Sequence, residues 1–486
     1  MFYPDLTMIR QLAADGTYKT APVSMEILSD IRTPIEVMRI LKRVSDHCYM
    51  LESVADNEKW GRYTFLGYNP SFEITCLNGH MKIGDLHFDT TDPRTYLKQI
   101  LAERKSPRIE GLPTFTGGLV GYFSYDYLKY AEPSLRLDAV DTEGSRDVDL
   151  MLFDKVIAFD NFRQKLILIV NAGCKEIETE YHRAELELES MKHLILQGAP
   201  KEEEPGSLKT EFSQLFKESE YCSMVEKAKS YICEGDIFQV VLSNRFEAEY
   251  EGSLLDTYRV LRTTNPSPYM FYFSSDDIEI AGASPETLVK VENGVAHTFP
   301  LAGTRPRGAT QAEDEALEKE LLSDEKELAE HNMLVDLGRN DIGKISKFGS
   351  VEVEKYMSIE QFSHVMHIGS TVKGELRKNL DAIHAIDSIL PAGTLSGAPK
   401  IRACEIINEL ENNKRGIYGG AIGYIDFTGN LDTCIAIRIA YKKNGKVFIR
   451  SGAGIVADSV PKKEYQECIN KAKAVRIALE TAQGGI

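Results

Sequence analysis

Two kinds of hydrophobic pattern alternate along the chain. Apolar residues at every second position, or in short continuous runs, predict strands, and apolar residues three and four apart predict helices. A strand and then a helix are predicted within 22–42, where Pro34 suits a first helical turn. Further strands are predicted at 47–53, 62–67, 71–77, 81–88, 115–122, 150–159 and 166–171, and a Glu-rich amphipathic helix at 175–197.

The pattern changes after residue 212. Helices are predicted at 217–234, 253–263, 310–339, 379–388, 399–411 and 460–482. Strands are predicted near 237–249, 269–275, 278–281, 286–298, 419–426, 432–441 and 446–450. Strands that follow one another directly, with long helices between the pairs, are typical of antiparallel or mixed sheets covered by helices. We therefore expect an α/β (α+β) protein.

One segment between the two parts shows neither pattern. Residues 197–210 combine proline, glycine and a run of charged residues, which is typical of a linker or an exposed loop. The chain is therefore divided into an N-terminal region, 1–196, this linker, 197–210, and a C-terminal region, 211–486.

Composition and charge narrow the function classes. The 486 residues are 43% hydrophobic and 27% charged, as in ordinary globular proteins. The chain has no apolar run of about 18 residues and no signal-peptide layout, so we expect a cytoplasmic protein without a membrane partner. A net charge of −17 argues against nucleic-acid binding. An anionic substrate would need local positive charge, such as a divalent metal held by carboxylates. The eight cysteines lack zinc-site spacing and are expected to be free thiols.

Residues 298–307, Thr-Phe-Pro-Leu-Ala-Gly-Thr-Arg-Pro-Arg, predict a turn because two prolines flank a glycine. Gly303 can adopt a positive φ or let a ligand approach the backbone. Arg305 and Arg307 can present forked donors to an anion. The alternative interpretation is that both arginines are solvated on the surface.

Two glutamate pairs are candidates for a metal site. Glu327 and Glu330 are three residues apart on one predicted helix, and Glu464 and Glu467 are three apart on another, so each pair shares a helix face. Two such helices side by side can hold Mg²⁺ with positions left for a substrate carboxylate and water. Spacing alone leaves a second interpretation open, in which both pairs are solvated faces.

Segments of the C-terminal part, in the same order over about 240 residues, resemble the chorismate-utilising enzymes. They are GDIFQVVLSNRF (235–246), NPSPYMFYF (265–273), ASPETLVK (283–290), PLAGTRPRG (300–308), DEKELAEHNMLVDLGRND (324–341), HVMHIG (364–369), LPAGTLSGAPK (390–400), YGGAIGY (418–424), DTCIAIR (432–438), RSGAGIVADS (450–459) and ECINKAKA (467–474). Within the family, the large subunits of anthranilate synthases are the most similar, including their N-terminal half. This resemblance implies a large sandwich of two β-sheets with flanking helices, completed by the N-terminal region.

The resemblance also implies binding roles. Glu330 and Glu467 match the family's Mg²⁺ ligands, and Glu327 and Glu464 lie near them as partners that act through water. The positions that match chorismate-binding residues are Gly303, Thr304, Tyr418, Arg438, Gly452, Ala453, Gly454 and Lys471. An arginine fork and exposed backbone N–H groups suit the two carboxylates of chorismate.

Four further positions match catalytic ones. Glu286 matches the proposed general acid for the departing C4 hydroxyl, a role that requires a pKa raised by burial or by nearby carboxylates. His367 and Thr394 match positions associated with the later loss of pyruvate. On its apolar surroundings alone, His367 would instead be interpreted as a structural residue. Gln239 lies where isochorismate and salicylate synthases carry a lysine that activates water.

Gln239 and Ala302 together distinguish the family's reactions. Glutamine has no basic site for water, and Ala302 replaces the lysine nucleophile of aminodeoxychorismate synthases. The resemblance therefore implies that ammonia adds at C2, that the C4 hydroxyl leaves, and that loss of pyruvate gives anthranilate, opening the tryptophan branch. The chain has no glutaminase-type Gly-x-Cys-Leu-Gly-x-Gln segment. A separate glutamine amidotransferase subunit is thus expected, in a heterotetramer of two large and two small subunits.

A second ligand site is implied by two segments, 50–53 and 265–270, that resemble the binding site for the feedback inhibitor L-tryptophan. The matching residues are Glu52, Ser53, Pro268, Tyr269, Met270, Tyr424 and Cys434. The alternative is that the first segment ends an edge strand and the second forms a turn.

Three other functions stay open at this point. One is an aminodeoxyisochorismate synthase, which stops before pyruvate loss, and another is an aminodeoxychorismate synthase, which Ala302 disfavours. The third is a non-catalytic tryptophan-sensing subunit, against which the presence of Glu330, His367 and Arg438 argues.

Overall fold

The computed structural model describes residues 2–53, 61–361 and 365–485, and its strands form two antiparallel sheets. The first sheet runs in the order β1 (Phe2–Tyr3), β2 (Thr20–Leu28), β11 (Lys165–Gly173), β10 (Lys155–Asp160), β4 (Tyr63–Tyr68), β3 (Cys48–Glu52), β15 (Tyr269–Ser274), β16 (Ile278–Ser284), β25 (Ile439–Lys443), β26 (Lys446–Ile455), β14 (Gln239–Glu251) and β12 (Ser207–Leu208). The short strands β13 (Ser213–Gln214) and β22 (Gly397–Ala398) also pair with β14.

The second sheet lies against the first. Its order is β19 (Leu301–Pro306), β21 (Val365–Glu375), β18 (Val295–Thr298), β17 (Thr287–Glu292), β24 (Leu431–Ile435), β23 (Ala421–Asp426), β8 (Gly118–Phe123), β9 (Val148–Phe153), β5 (Phe72–Leu77), β6 (His80–Ile83) and β7 (Leu86–Asp89). Strand β20 (Glu352–Gln361) pairs with β21. The first residue of the 364–369 motif lies outside the described residues.

Helices cover the outer faces of both sheets. They are α1 (Leu6–Ala13), α2 (Pro34–Val44), α3 (Pro93–Ala102), α4 (Leu128–Ala131), α5 (Ile177–Gln197), α6 (Glu218–Glu234), α7 (Leu255–Thr264), α8 (Gln311–Leu321), α9 (Glu325–Gly343), α10 (Ala382–Ile389), α11 (Lys400–Glu411) and α12 (Pro461–Thr481). Asp324 begins α9 by accepting hydrogen bonds from the next backbone N–H groups, as N-cap residues do. Among the described residues, no helix is both long and apolar enough to cross a membrane.

Three main apolar layers hold these elements together. Aromatic residues such as Phe115, Phe153 and Phe271 fill the space between the two sheets. Another layer packs α2, α5, α7 and α12 on the first sheet, and a third packs α3 and α10 on the second sheet. The predicted sandwich of two sheets with flanking helices is confirmed.

Both sheets contain strands from either side of segment 197–210. In the first sheet, β3 from the N-terminal region pairs with β15 from the C-terminal region. In the second, β8 pairs with β23. The segment itself is irregular apart from its first residue, Gln197, which ends α5, and apart from β12.

Several predicted elements are divided in the structure. The predicted strands 81–88, 150–159, 286–298 and 432–441 are each two strands. The third of these turns at Asn293 and Gly294, which both have positive φ, as a tight hairpin requires. The predicted helix 310–339 is likewise two helices, because Asp324 caps the second. The eight cysteines are free, as expected.

The turn predicted at 298–307 is wrong. Residues 301–306 form β19, an edge strand whose register with β21 shifts between Ala302 and Arg305. Gly303 does have a positive φ of 65°, and a Cβ there would lie 2.9 Å from the Leu321 side chain. The glycine and prolines that suggested a turn therefore belong to an irregular strand.

Candidate active site

A cavity of about 690 Å³ opens between the two sheets where β19 and β26 approach α9 and α12. The residues predicted from the sequence that line it are Gln239, Glu286, Gly303, Thr304, Glu327, Glu330, His367, Thr394, Tyr418, Arg438, Gly452, Gly454, Glu464, Glu467 and Lys471. Ala453 differs from them because its side chain packs on the opposite face of β26, among apolar residues of α6 and α11. Only its backbone is available for a ligand.

Glu286 lies where the chain crosses from β16 in the first sheet to β17 in the second. The Thr394 hydroxyl donates a hydrogen bond to its Oε1 over 3.1 Å. Burial raises the pKa of Glu286 to about 7, while Thr394 and the cations Lys471 and Arg438 oppose the rise. Neighbouring carboxylates are therefore not the cause, contrary to one expectation from the sequence. A carboxyl group in this state can donate a proton at neutral pH.

His367 on β21 is held by β19. Its Nδ1 lies 2.7 Å from the Gly303 carbonyl oxygen and 3.2 Å from the Thr304 hydroxyl. Because a carbonyl oxygen only accepts, the ring proton is on Nδ1 and the lone pair is on Nε2. Burial lowers the pKa of His367, and the charge of Arg438 lowers it further. The ring is thus neutral near pH 7, as a base must be.

One wall of the cavity is built for an anion. Within the described part of the chain, the Arg438 side chain makes no hydrogen bond or ion pair, and this exposed residue lines the cavity. The Tyr418 hydroxyl lies so near Gly452 that a Cβ there would be 2.9 Å from it. Lys471 Nζ donates to the Gly452 carbonyl over 3.1 Å. An arginine fork, a hydroxyl and an ammonium group suit a substrate with carboxylates.

Strand β26 supplies this wall with an open backbone edge. Strand β25 pairs with β26 only as far as Ile449, whereas β14 follows it to Ile455. The edge that β25 leaves uncovered includes Gly452 and Gly454, whose missing side chains let a ligand approach the backbone.

Four carboxylates from two helices face the opposite side of the cavity: Glu327 and Glu330 on α9, Glu464 and Glu467 on α12. Burial raises the pKa of Glu330, and repulsion from Glu327 and Glu467 adds to the rise. Such crowded oxygen ligands fit a hard divalent cation, which relieves their repulsion. Within the described residues, no three acidic or metal-binding side chains have the spacing of a complete metal site. Glu467 instead lies 2.6 Å from Lys471.

Two further positions were predicted to lie in the active site because the resembling enzymes carry a lysine there. Both of these residues, Ala302 and Gln239, line the cavity. The Gln239 amide nitrogen lies beside Gly454, where a Cβ would be 2.7 Å from it. The cavity therefore presents a neutral amide and a methyl group at these points.

Arg305 in β19 and Arg307 directly after it pair with carboxylates of the chain itself. Arg305 pairs with Glu320 and Asp324 over 3.0 Å each, and Arg307 pairs with Asp314 over 2.5 Å. The forked donors predicted for a ligand thus bind carboxylates of α8 and the start of α9, and they fix β19 to these helices.

Some cavity residues were missed in the sequence. Lys326 and Lys463 line the cavity on α9 and α12, and Arg450 and Ser451 line it on β26. Arg450 opens the segment RSGAG, so its position in a motif was available as a signal. The lysines belong to charged helix faces, where nothing separates them from solvated residues.

A second cavity of about 340 Å³ lies on the other side of the sandwich core. It is lined by all the residues predicted for the inhibitor: Glu52, Ser53, Pro268, Tyr269, Met270, Tyr424 and Cys434. Tyr269 donates to Asp432 over 2.8 Å, and Phe65 packs near Tyr424. The Ser53 hydroxyl is buried and has no hydrogen-bond partner among the described residues. The cavity thus combines aromatic walls with an unused polar group.

Glu52 is turned away from the centre of this cavity. Its carboxylate accepts hydrogen bonds from Tyr258 and, over 2.7 Å, pairs with Arg262 of α7. Its register partner Met270 packs in the same helical layer. The side chains of Glu52 and Met270 therefore pack mainly on the helical side, and these residues line the cavity mainly with their backbone.

The comparisons with known proteins agree with this site. A family model described as chorismate binding enzyme matches residues 46–476. The chain belongs to the chorismate-binding enzymes. It is 47% identical to an anthranilate synthase component 1 from Acetivibrio thermocellus, over 99% of both chains, and 46% identical to one from Aquifex aeolicus, over 98% of both.

One solved structure supports the same family, and a second shares the fold. Anthranilate synthase component I from Streptococcus pneumoniae is 40% identical, with a TM-score of 0.76 over 92% of this chain and 98% of that one. The menaquinone-specific isochorismate synthase from Escherichia coli shares the fold, with a TM-score of 0.70 at 18% identity over 98% of this chain and 99% of that one. Family membership makes this chain a chorismate-utilising enzyme, so its main cavity is the expected place for that substrate.

Proposed function

We propose that the chain is the large subunit of an anthranilate synthase. It would convert chorismate and ammonia into anthranilate, pyruvate and water. The observation that carries the proposal is a single cavity that combines a buried carboxyl group with a pKa raised to about 7, an arginine, a tyrosine and a lysine suited to carboxylates, and no lysine at positions 239 and 302.

Different residues act in the two chemical steps, which are the amination of chorismate and the loss of pyruvate. Arg438, Tyr418 and Lys471 bind and orient the substrate carboxylates. Glu286 gives its proton to the departing C4 hydroxyl, which leaves as water while ammonia bonds to C2. His367 then takes the C2 proton through Nε2, and the bond between the ring and the enolpyruvyl oxygen breaks, so that the ring becomes aromatic. The enolpyruvate that leaves takes up a proton and becomes pyruvate. Glu330 and Glu467 would hold Mg²⁺, which supplies positive charge for a substrate carboxylate.

The proposed partner is a glutamine amidotransferase subunit that supplies the ammonia, in an assembly of two large and two small subunits. Support comes from the relatives, whose names mark them as component 1. We also propose that the second cavity binds L-tryptophan as a feedback inhibitor. Its aromatic walls and the buried Ser53 hydroxyl fit an aromatic amino acid.

The purified chain, incubated with chorismate, Mg²⁺ and ammonium at high pH, tests the proposal. We expect anthranilate fluorescence and equimolar pyruvate. An aminated but non-aromatic product without pyruvate would instead indicate an aminodeoxyisochorismate synthase. Binding of tryptophan without any chorismate turnover would indicate a non-catalytic sensor.

A further inference from the structure

A buried charge cluster lies beneath the floor of the active-site cavity. It consists of Glu411 at the end of α11, Arg415 in the next loop and Arg450 on β26, each with a side chain only 1% exposed. The Glu411 carboxylate accepts hydrogen bonds from both guanidinium groups and from the N–H and hydroxyl of Ser243. Two arginines against one glutamate leave a net positive charge in a place closed to water.

Arg415 uses its other donors on two walls of the cavity. Its Nη1 donates to the Leu395 carbonyl over 2.6 Å, and its Nη2 donates to the Val241 carbonyl over 2.7 Å. Both of these residues line the cavity. Leu395 directly follows Thr394 in a single turn of 3-10 helix, Gly393–Leu395. The placement of the Thr394 hydroxyl, which donates to Glu286, therefore depends on Arg415.

The same guanidinium also supports the carboxylate-binding wall. It lies 4.7 Å from the ring centre of Tyr125 and 5.8 Å from that of Tyr418. Tyr418 carries the hydroxyl beside Gly452. A buried ion cluster is weak evidence for stability, because apolar residues of the same volume usually stabilise a core as well or better. Its contacts with three walls of the cavity indicate a role in the reaction.

We propose that Arg415 is a positioning residue: it fixes Thr394 against Glu286 and Tyr418 against the substrate carboxylate. The inference rests on the proposed function, because anthranilate synthesis is its assay. Arg415 touches no reacting atom, and it acts through the two carbonyls and the ring that it holds.

The variant Arg415→Lys tests this. Lysine keeps the charge, but a point-like ammonium cannot hold both carbonyls and Glu411 while stacking on Tyr418. We expect kcat with ammonium to fall on the order of 10- to 100-fold, as small displacements in active sites produce. Arg402→Lys is the matched control. Arg402 also pairs with a carboxylate, Asp236, and stacks 5.4 Å from Tyr231, but on the outer surface.

A pH profile separates positioning from a loss of stability. The protonated form of Glu286 is the active one, so kcat/KM falls as pH rises through its pKa. Thr394 stabilises the carboxylate, and without its hydrogen bond the pKa of Glu286 rises. In Arg415→Lys, the fall of kcat/KM at high pH (the basic limb of the profile), measured at constant free ammonia, should therefore move to higher pH by about half a unit or more. The charged groups that face Glu286 are Lys471 and Arg438, and the substitution alters neither of them.

The outcomes are distinct. Thr394→Val should move the basic limb in the same direction, and the double variant with Arg415→Lys should move it little further. If the wild type makes anthranilate and Arg415→Lys has the same kcat and pH profile as Arg402→Lys, this inference is overturned and the proposed function is not. A wild type without anthranilate synthesis overturns the proposed function and this inference with it. If Arg415→Lys does not fold, Glu411→Gln replaces it, and an unshifted basic limb in that variant overturns the inference.

Discussion

Glu286 has surroundings that keep a carboxyl group protonated close to neutral pH. Burial raises its pKa to about 7, and among the described residues the Thr394 hydroxyl is the one side chain recorded as donating a hydrogen bond to its carboxyl group. We expect Glu286→Gln to lower kcat by about 10²- to 10⁴-fold, the usual contribution of a general acid. Anthranilate fluorescence measures the loss. Near-wild-type turnover with intact structure would remove Glu286 from the role of acid.

The same residue makes a prediction about stability. The folded-state pKa of Glu286, about 7, lies above its ordinary value of 4.5. Its contribution to folding is therefore complete below about pH 4.5 and is lost as pH rises through 7. Glutamine does not ionise, so the melting temperature of Glu286→Gln relative to wild type should rise between about pH 4.5 and pH 7 and then level off. A constant difference across that range would show that Glu286 ionises normally.

His367 allows the two chemical steps to be separated. Its Nδ1 proton is committed to Gly303, so Nε2 is the basic atom that faces the second step. His367→Asn retains a donor but has no base. We expect the variant to aminate chorismate while pyruvate release falls more steeply, which mass spectrometry of the products measures. Loss of both steps in equal proportion would contradict this division.

At the residue scale, sequence motifs predicted candidate catalytic and substrate-binding positions, and the structure places nearly all of them around one cavity. The electrostatics could not be obtained in the same way. The cause of the raised Glu286 pKa is burial, which depends on distant parts of the chain. Arg415 likewise follows a polar segment, Glu-Asn-Asn-Lys, that resembles an exposed helix end, and only the fold shows that it is buried.

At the scale of elements, α9 and α12 each bring a pair of carboxylates to the cavity. The i,i+3 spacing predicted which faces they occupy, and the structure places the two faces opposite each other. Spacing could not show that the helices meet, because that depends on how both pack against the sheets. The polar edge strands β19 and β20 escaped prediction for a related reason, since charged residues on an edge carry little strand pattern.

This pairing of helices predicts metal-linked stability. A ligand that binds only the folded state raises its stability as concentration exceeds the dissociation constant, by about 2.7 kcal/mol at a hundredfold excess. Mg²⁺ should therefore raise the melting temperature of the wild type. We expect Glu330→Gln to abolish that rise together with Mg²⁺-dependent turnover. Glu325→Gln, an exposed change on the same helix, is the control. An equal response of both variants to Mg²⁺ would argue against a site at Glu330.

At the scale of the whole molecule, the chain order interleaves the two regions in both sheets. Strand β15 lies between β3 and β16, and β23 lies between β24 and β8. A fragment of residues 211–486 would expose the edges of β15 and β23 and the apolar layers on them. We expect this fragment to be insoluble alone and soluble when co-expressed with 1–196. A monomeric, cooperatively melting 211–486 fragment would show that the regions fold independently.

The active-site cavity and the second cavity are connected through strands β15 and β16, which predicts how a ligand in the second cavity affects the active site. Tyr269, at the second cavity, pairs in register with Ser284, two residues before Glu286. Ser284 Oγ donates to the Ile435 carbonyl over 2.7 Å, and Ile435 follows Cys434 of the second cavity. The Ile435 N–H in turn donates to the Glu286 carbonyl over 3.0 Å.

This short connection gives the last prediction. Tryptophan and chorismate should weaken each other's binding by the same factor, about 5- to 150-fold in typical coupled proteins. Calorimetry with Mg²⁺ and no ammonia measures both affinities. Ser284→Ala should reduce the factor several-fold while each ligand alone binds nearly as before. Ser274→Ala, which removes a similar buried hydroxyl from the far end of β15, should leave it unchanged. The Ser284 hydroxyl joins the strand beside Tyr269 to the strand that holds Cys434. If Ser284→Ala left the factor between the two affinities unchanged, the coupling would not depend on this hydrogen bond.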